Sequence, residues 1–276
     1  MRVLRGSDKL DAMRRVLFRL VVTVMLLAAL PSPAGAVFGG RPVDPGDPLA
    51  RSVAAVLYRA ADGAHLCTAV VLARRLVITA AHCTEGSRDD MRVIFSVGLR
   101  DVPLDRLRGV AAVRRPEPTA QSKGSYAYNN PDDIALVLLD APAPSDALPA
   151  RLADATAGAV RIAGYGAASE LRDGGNRGPR QLGFGQGLRT AEASLSSKGA
   201  VLVAAQPGKA GMCTGDSGGP AFVAARDGMS VVGLLIGVSA PRGAADVCRG
   251  TAWFTSVPRW AGWIRTAARE LGTPLP

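Results

Sequence analysis

From residue 37 onward the chain alternates short apolar runs with breaks rich in Gly, Pro and Asp. The runs lie at 52–58, 67–71, 76–79, 91–97, 134–139, 160–163, 199–204 and 230–238. Each is too short for a core helix and the right length for a strand. Many short strands separated by turn residues predict an all-β sandwich or barrel. Helical spacing appears only at the end, over 257–272, where Trp260, Trp263, Ile264 and Ala267 share a face and Gly272 supplies a stop. A stretch rich in Pro, Ala and Gly, 141–158, divides the strand-forming region, and 169–187 reads as a long glycine-rich loop.

The first 36 residues read differently. Arg14 and Arg15 precede an apolar run, 20–30, which is followed by Pro31-Ser-Pro and then Ala34-Gly-Ala36. A basic start, a short apolar centre and small residues at the end are the order of a secretory signal peptide, with Met13 an alternative start. The run is shorter than the about 20 residues of a membrane-spanning helix. Residues 1–36 are therefore expected to be removed on export, leaving an extracellular or periplasmic protein with no stable membrane association. Their loss takes away six basic and two acidic residues and lowers the formal charge from +10 to +6. The remaining Arg residues are scattered and form no run of five, so a solvated basic surface is expected and not a nucleic-acid site.

Four Cys suit two disulfides in an oxidising compartment, and three connectivities are open from sequence. Only two His are present and no Cys pair has C-x-x-C spacing, so neither a metal nor a cofactor is expected.

Three stretches carry the chemistry: Thr79-Ala-Ala-His-Cys83, Asp133-Ile-Ala-Leu136 and Gly215-Asp-Ser-Gly-Gly-Pro220. A serine hydroxyl becomes a nucleophile when a neighbouring base takes its proton, and an imidazole titrating near neutrality suits that base. The set, in the order His, Asp, Ser, resembles the trypsin/chymotrypsin-like serine proteases. Val37-Phe-Gly-Gly40, Ala163-Gly-Tyr-Gly166 and the terminal helix add to the resemblance, which covers 37–276.

The resemblance implies a fold of two antiparallel six-stranded β-barrels with a C-terminal helix, the barrels spanning 37–145 and 146–276. It implies a monomeric endopeptidase acting on proteins or peptides, with His82 as base, Asp133 as its orienting carboxylate and Ser217 as nucleophile. The backbone N–H groups of Gly215 and Ser217 would form the oxyanion hole, each such donor being worth roughly 3–4 kcal/mol. Gly218 and Gly219 are expected to leave room for substrate, and Asp132 to be a solvated loop residue. The new amine of Val37 would pair with Asp216, and here the leader's cleavage after Ala36 would expose it directly. The implied disulfides are Cys67–Cys83 and Cys213–Cys248.

The resemblance also places the specificity pocket. Its floor lies six residues before the nucleophile, at Gly211, so no carboxylate awaits a basic substrate residue. Ala252 stands on one wall, where a methyl group makes the pocket shallower. The other wall has two possible registers, beginning at Ser239 or at Ile236. Ser239 is expected, because the family's serine there contacts the triad carboxylate. Cleavage after small or medium apolar residues is the implied preference. A non-catalytic binding protein of the same fold is the alternative, and the altered wall is its one support.

Overall fold

The computed structural model describes residues 37–61, 63–120, 128–154, 157–172, 180–184, 187–206, 210–226, 228–240, 244 and 246–276. The expected signal peptide lies outside them. Strands β1 (Arg41–Pro42), β2 (Val53–Ala60), β3 (Gly63–Ala73), β4 (Leu76–Thr79) and β5 (Arg92–Ile94) come first. They are followed by β6 (Leu107–Arg108), β7 (Val110–Arg114) and β8 (Ala135–Leu139). One sheet runs in the order β6-β5-β2-β3-β4-β8-β7. β6 and β7 are one strand interrupted at Gly109, so its halves pair with β5 and β8 at the sheet's two edges. That strand nearly closes six strands into a barrel, which removes the exposed edges an open sheet would leave. β8 is apolar throughout and β4 is apolar up to its last residue, Thr79, because both are covered on both faces.

The later strands begin with β9 (Arg151–Leu152), β10 (Gly158–Gly164), β11 (Ala167–Arg172), β12 (Arg180–Phe184) and β13 (Arg189–Lys198), of which β11 and β12 form a two-stranded sheet of their own. They continue through β14 (Val201–Ala205), β15 (Pro220–Ala225), β16 (Gly228–Ser239) and β17 (Thr251–Ser256). The order β13-β10-β15-β16-β17-β14 closes on itself through β13–β14 pairing, giving a six-stranded barrel. β1 and β9 add to its rim.

Two expectations change here. The segment 37–42 lies on the second barrel: β1 pairs with β13, and Val37 packs among Ile162, Met212 and Ala252. The stretch 169–187 is not one loop, since β11 and β12 pair as an antiparallel ribbon.

The terminal helix α1 spans Val257–Glu270. Its Val257, Ile264, Ala267 and Ala268 are buried against Ile134 and Leu136 from the first barrel and Val231 and Leu234 from the second. Gly272 ends it at φ +69: Thr273 N–H reaches Ala268 O and Gly272 N–H reaches Arg269 O, the paired bonds of a Schellman stop. No helix of the described residues is long and apolar enough to cross a membrane.

Candidate active site

The end of β4 delivers His82. Thr79 closes the strand with its hydroxyl on the Thr68 carbonyl at 2.7 Å, and 81–84 turn into a 3₁₀ helix. The Cys67–Cys83 disulfide ties this turn back to β3. On the far side of the cleft, 130–133 form a turn in which Asp133 N–H donates to Asn130 O at 3.2 Å. Three neighbours hold that turn: Trp260 Nε1 on Pro131 O at 2.9 Å, Thr255 Oγ1 on Asp133 O at 3.1 Å, and Thr119 on the Asp132 carboxylate. Two of the three anchors, Trp260 and Thr255, come from the C-terminal part of the chain.

Asp133 is 5% exposed and receives two hydrogen bonds from His82, the backbone N–H at 2.9 Å and Nδ1 at 2.6 Å. The other ring nitrogen, Nε2, lies 3.7 Å from the Cys83 sulfur, and with Nδ1 donating to Asp133 it is the nitrogen that can act as a general base. Burial pushes the imidazole's pKa down. The hydrogen bond to Asp133, its charge, and the charge of Glu85 outweigh burial and hold the pKa above 6.5.

Ser217 stands where the two barrels touch. Its carbonyl accepts from Thr68 N–H of β3 at 2.8 Å, and the next N–H, Gly218, donates to Leu235 O of β16 at 2.7 Å. A Cβ on Gly218 would fall inside van der Waals contact of Thr79 Oγ1 and the Thr68 carbonyl, at a backbone φ of +75. One on Gly219 would lie 2.6 Å from both the Ala163 and Asp216 carbonyls. These glycines are thus required by the fit of this loop against its own scaffold. The Ser217 hydroxyl points to the Ile236 carbonyl at 3.5 Å and not to His82 Nε2. Such bonds are often long in free enzymes and tighten when substrate arrives. His82, Asp133 and Ser217 line one cleft of about 630 Å³.

The loop before Ser217 is held by Asp216, which is fully buried. Its carboxylate accepts from Gly166 N–H at 2.7 Å, from Cys213 N–H at 2.8 Å and from the Val37 backbone N–H. Complete burial pushes the Asp216 pKa up to about 7 despite these three donors. Val37 is itself fully buried, with Gly40 N–H turning back onto its carbonyl at 2.8 Å. Ala167 N–H holds Thr214 O at 2.7 Å.

Two residues sit elsewhere than the sequence suggested. Asp132 is not solvated: it is 6% exposed, and its carboxylate accepts the Thr119 hydroxyl at 2.9 Å and the Thr119 N–H. Ser239 does not begin the pocket wall. A bulge between Leu235 and Gly237 re-aims β16, so Ile236 presents its carbonyl to Ser217 and Gly237 and Val238 line the cleft. Ser239 instead accepts Trp253 Nε1–H at 2.7 Å. Ile236 has no hydroxyl to offer, so the described partners of the Asp133 carboxylate both come from His82. Tyr128 packs over Gly237 and against the Trp253 ring, 5.7 Å between centroids. Gly211 and Ala252 are both buried, and the Cys213–Cys248 disulfide brings its two Cα atoms to 4.8 Å.

Sequence reasoning missed Thr68, Thr255 and Trp260 as supports, and Gln206 beneath Gly211. Each acts across a sequence distance that no local pattern reveals.

Among curated proteins none matches this sequence significantly. Among solved structures, the fold is similar to that of neuropsin, a serine protease expressed in the limbic system of mouse brain. The two share 21% identity at a TM-score of 0.63, over 84% of this chain and 99% of that one. The family profile described as Trypsin matches residues 37–264. The chain belongs to the trypsin family of serine endopeptidases.

Proposed function

We propose that the protein is an exported endopeptidase that cleaves peptide bonds through a Ser217–His82–Asp133 triad, after small or medium apolar residues. The observation that carries this reading is the His82–Asp133 pair, closed by two hydrogen bonds, in the same cleft as Ser217. His82 Nε2 takes the Ser217 proton as Oγ adds to the substrate carbonyl. The imidazolium that forms is stabilised by the buried Asp133 carboxylate. The carbonyl oxygen becomes an oxyanion facing the Gly215 and Ser217 N–H groups, where preorganised dipoles act with little reorganisation. His82 then returns the proton to the leaving amine, and water hydrolyses the acyl-Ser217 ester by the same route.

Maturation fits the same reading. Val37 N–H already lies on Asp216. Cleavage after Ala36 turns that peptide N–H into an ammonium, which replaces a neutral donor by a charge at a buried carboxylate. Export and activation then share one cut.

The test is the intact mass of secreted protein before and after a fluorophosphonate probe. A mass beginning at Val37 that gains one adduct, lost in Ser217→Ala, is the expected result. Correctly matured protein that takes no adduct overturns the catalytic reading, and labelled protein starting elsewhere overturns the single-cut maturation.

A further inference from the structure

We infer that residues 115–119 form a proline-stiffened strap that sets the position of His82 against Asp133, with Arg115 and Thr119 as positioning residues at its two ends. The inference rests on the protease reading, because it adds to the proposed base and its carboxylate. The strap reads Arg115-Pro-Glu-Pro-Thr119. It leaves β7 where Arg114 pairs with Leu136 of β8, three residues beyond Asp133.

One end grips the turn that carries His82. Arg115 Nε donates to Thr84 Oγ1 at 2.8 Å, and its Nη2 donates to the Thr84 carbonyl. A guanidinium can only donate, so the Thr84 hydroxyl accepts from it and turns its single proton elsewhere. That proton goes to Ala81 O at 2.7 Å, closing a ring of bonds that spans His82. Thr84 is buried, which shields both bonds from competition by water. Arg115 lines the same cleft as His82 and Ser217.

The other end grips the turn that carries Asp133. Thr119 donates to the carboxylate of the neighbouring Asp132 twice, through its N–H and through its hydroxyl at 2.9 Å, and Asp132 is itself buried. Between the two ends, Pro116 and Pro118 each fix φ at about −65° and remove an N–H. A link so stiffened transmits the separation of its ends. The other anchors of the two turns lead elsewhere: the Cys67–Cys83 bridge to β3, Trp260 to α1 and Thr255 to β17. Of these anchors only the strap reaches both turns.

The test uses the mature protein and a tetrapeptide p-nitroanilide ending in Ala. Thr119→Val removes the hydroxyl bond at nearly constant shape and charge. Arg115→Met removes the grip on Thr84 and keeps an unbranched side chain. Each should lower kcat about tenfold with KM unchanged, a part of the about 100-fold that a misplacement of about 1 Å costs. The double variant should lose no more than the larger single loss, because cutting either end frees the same strap. Thr119→Val should also move the pH at which kcat/KM rises downward, since it loosens the Asp133 bond that, together with Glu85, holds the His82 pKa up. Arg88→Met is the control: Arg88 Nη1 donates to Ala111 O of β7 at 2.6 Å, away from the His82 turn, and kcat should not change. Should either single variant not fold, Pro116→Ala/Pro118→Ala, which keeps both ends, decides: a lowered kcat supports the strap and an unchanged one overturns it. Variants that lose thermal stability while kcat and the pH profile stay as in wild type would mean the segment only braces the fold, and overturn the inference. So would losses that add in the double variant. Fluorophosphonate labelling separates the two levels: unlabelled wild-type protein sinks the protease reading itself, while labelled protein with unaffected variants sinks only the strap.

Discussion

Gly218→Ala should be the most damaging single methyl addition near the active site. The residue sits at φ +75, where an L-residue pays about 1–2 kcal/mol. The new methyl would press on Thr79 Oγ1 and the Thr68 carbonyl and stand 2.8 Å from Ala80 N. Two of these are backbone atoms of β3 and the β4 terminus, which are fully buried and have little room to move. Pushing Thr79 aside costs its bond to Thr68, about 1 kcal/mol, and overpacking costs about 1–3 kcal/mol more. The sum is about 3–6 kcal/mol, a large share of the about 5–15 kcal/mol that holds a domain folded. Gly199→Ala is the internal control, since Gly199 has φ +61 and nothing within 4 Å of its missing Cβ. It should lose only the about 1–2 kcal/mol of backbone strain. Both changes belong in a Ser217→Ala background, to prevent self-digestion, with urea unfolding followed by tryptophan fluorescence under oxidising conditions. The midpoint of Gly218→Ala should fall well below that of Gly199→Ala at equal slope. With Ser217 restored, a shift of the nucleophile by about 1 Å should lower kcat about 100-fold. Equal midpoints for the two variants would refute the close contact between the Ser217 loop and the first barrel.

Other consequences concern protons and the crosslink. His82 has its pKa raised, so kcat/KM should rise with pH through a value above 6.5, and Asp133→Asn should move that value down because burial is then opposed only by the charge of Glu85. The stability carried by protonated His82 is complete below about 6.5 and lost as pH climbs through the raised value, which a thermal-shift series on Ser217→Ala and Ser217→Ala/Asp133→Asn would read. Asp216 titrates at about 7 in the uncleaved chain, against 3.8 for the unperturbed group. Refolded full-length protein should therefore lose stability as pH rises from about 4 to 7, and Asp216→Asn should abolish that slope. In mature protein the Val37 ammonium favours the carboxylate, so the slope should shrink there; an identical slope in both forms would count against the pairing. Removing the Cys67–Cys83 bridge, which closes 16 residues, should cost about 3 kcal/mol in urea unfolding and lower kcat through the loosened His82 turn.

Two of the strands that the sequence announced, β4 and β8, are buried on both faces. The run 76–79 is β4 to the residue, and 134–139 covers β8, because a continuous apolar run needs no knowledge of its partners. β13 was missed: its burial alternates among Thr, Glu and Ser, and its role in closing the second barrel depends on β10 and β14 arriving beside it. The helix stop at Gly272 was legible because it is a local backbone event. The pocket wall was not. The choice between Ile236 and Ser239 turned on one bulge in β16, and a bulge is decided by the strand it pairs with.

The same division runs through the site. Sequence by itself determined which groups are present and what they can do: a hydroxyl, an imidazole, a carboxylate, four thiols and a glycine-rich turn, each a property of residue type and near neighbours. Tertiary structure decided what surrounds them. Asp132 became a buried brace when Thr119 closed over it, Gly218 became indispensable when β3 and β4 packed against it, and Gln206 became a buried crosslink when Met212 and Cys248 wrapped its amide. Chemistry is carried by single side chains and travels with the sequence, whereas burial, reach and exclusion belong to pairs of segments that meet only when both barrels have closed.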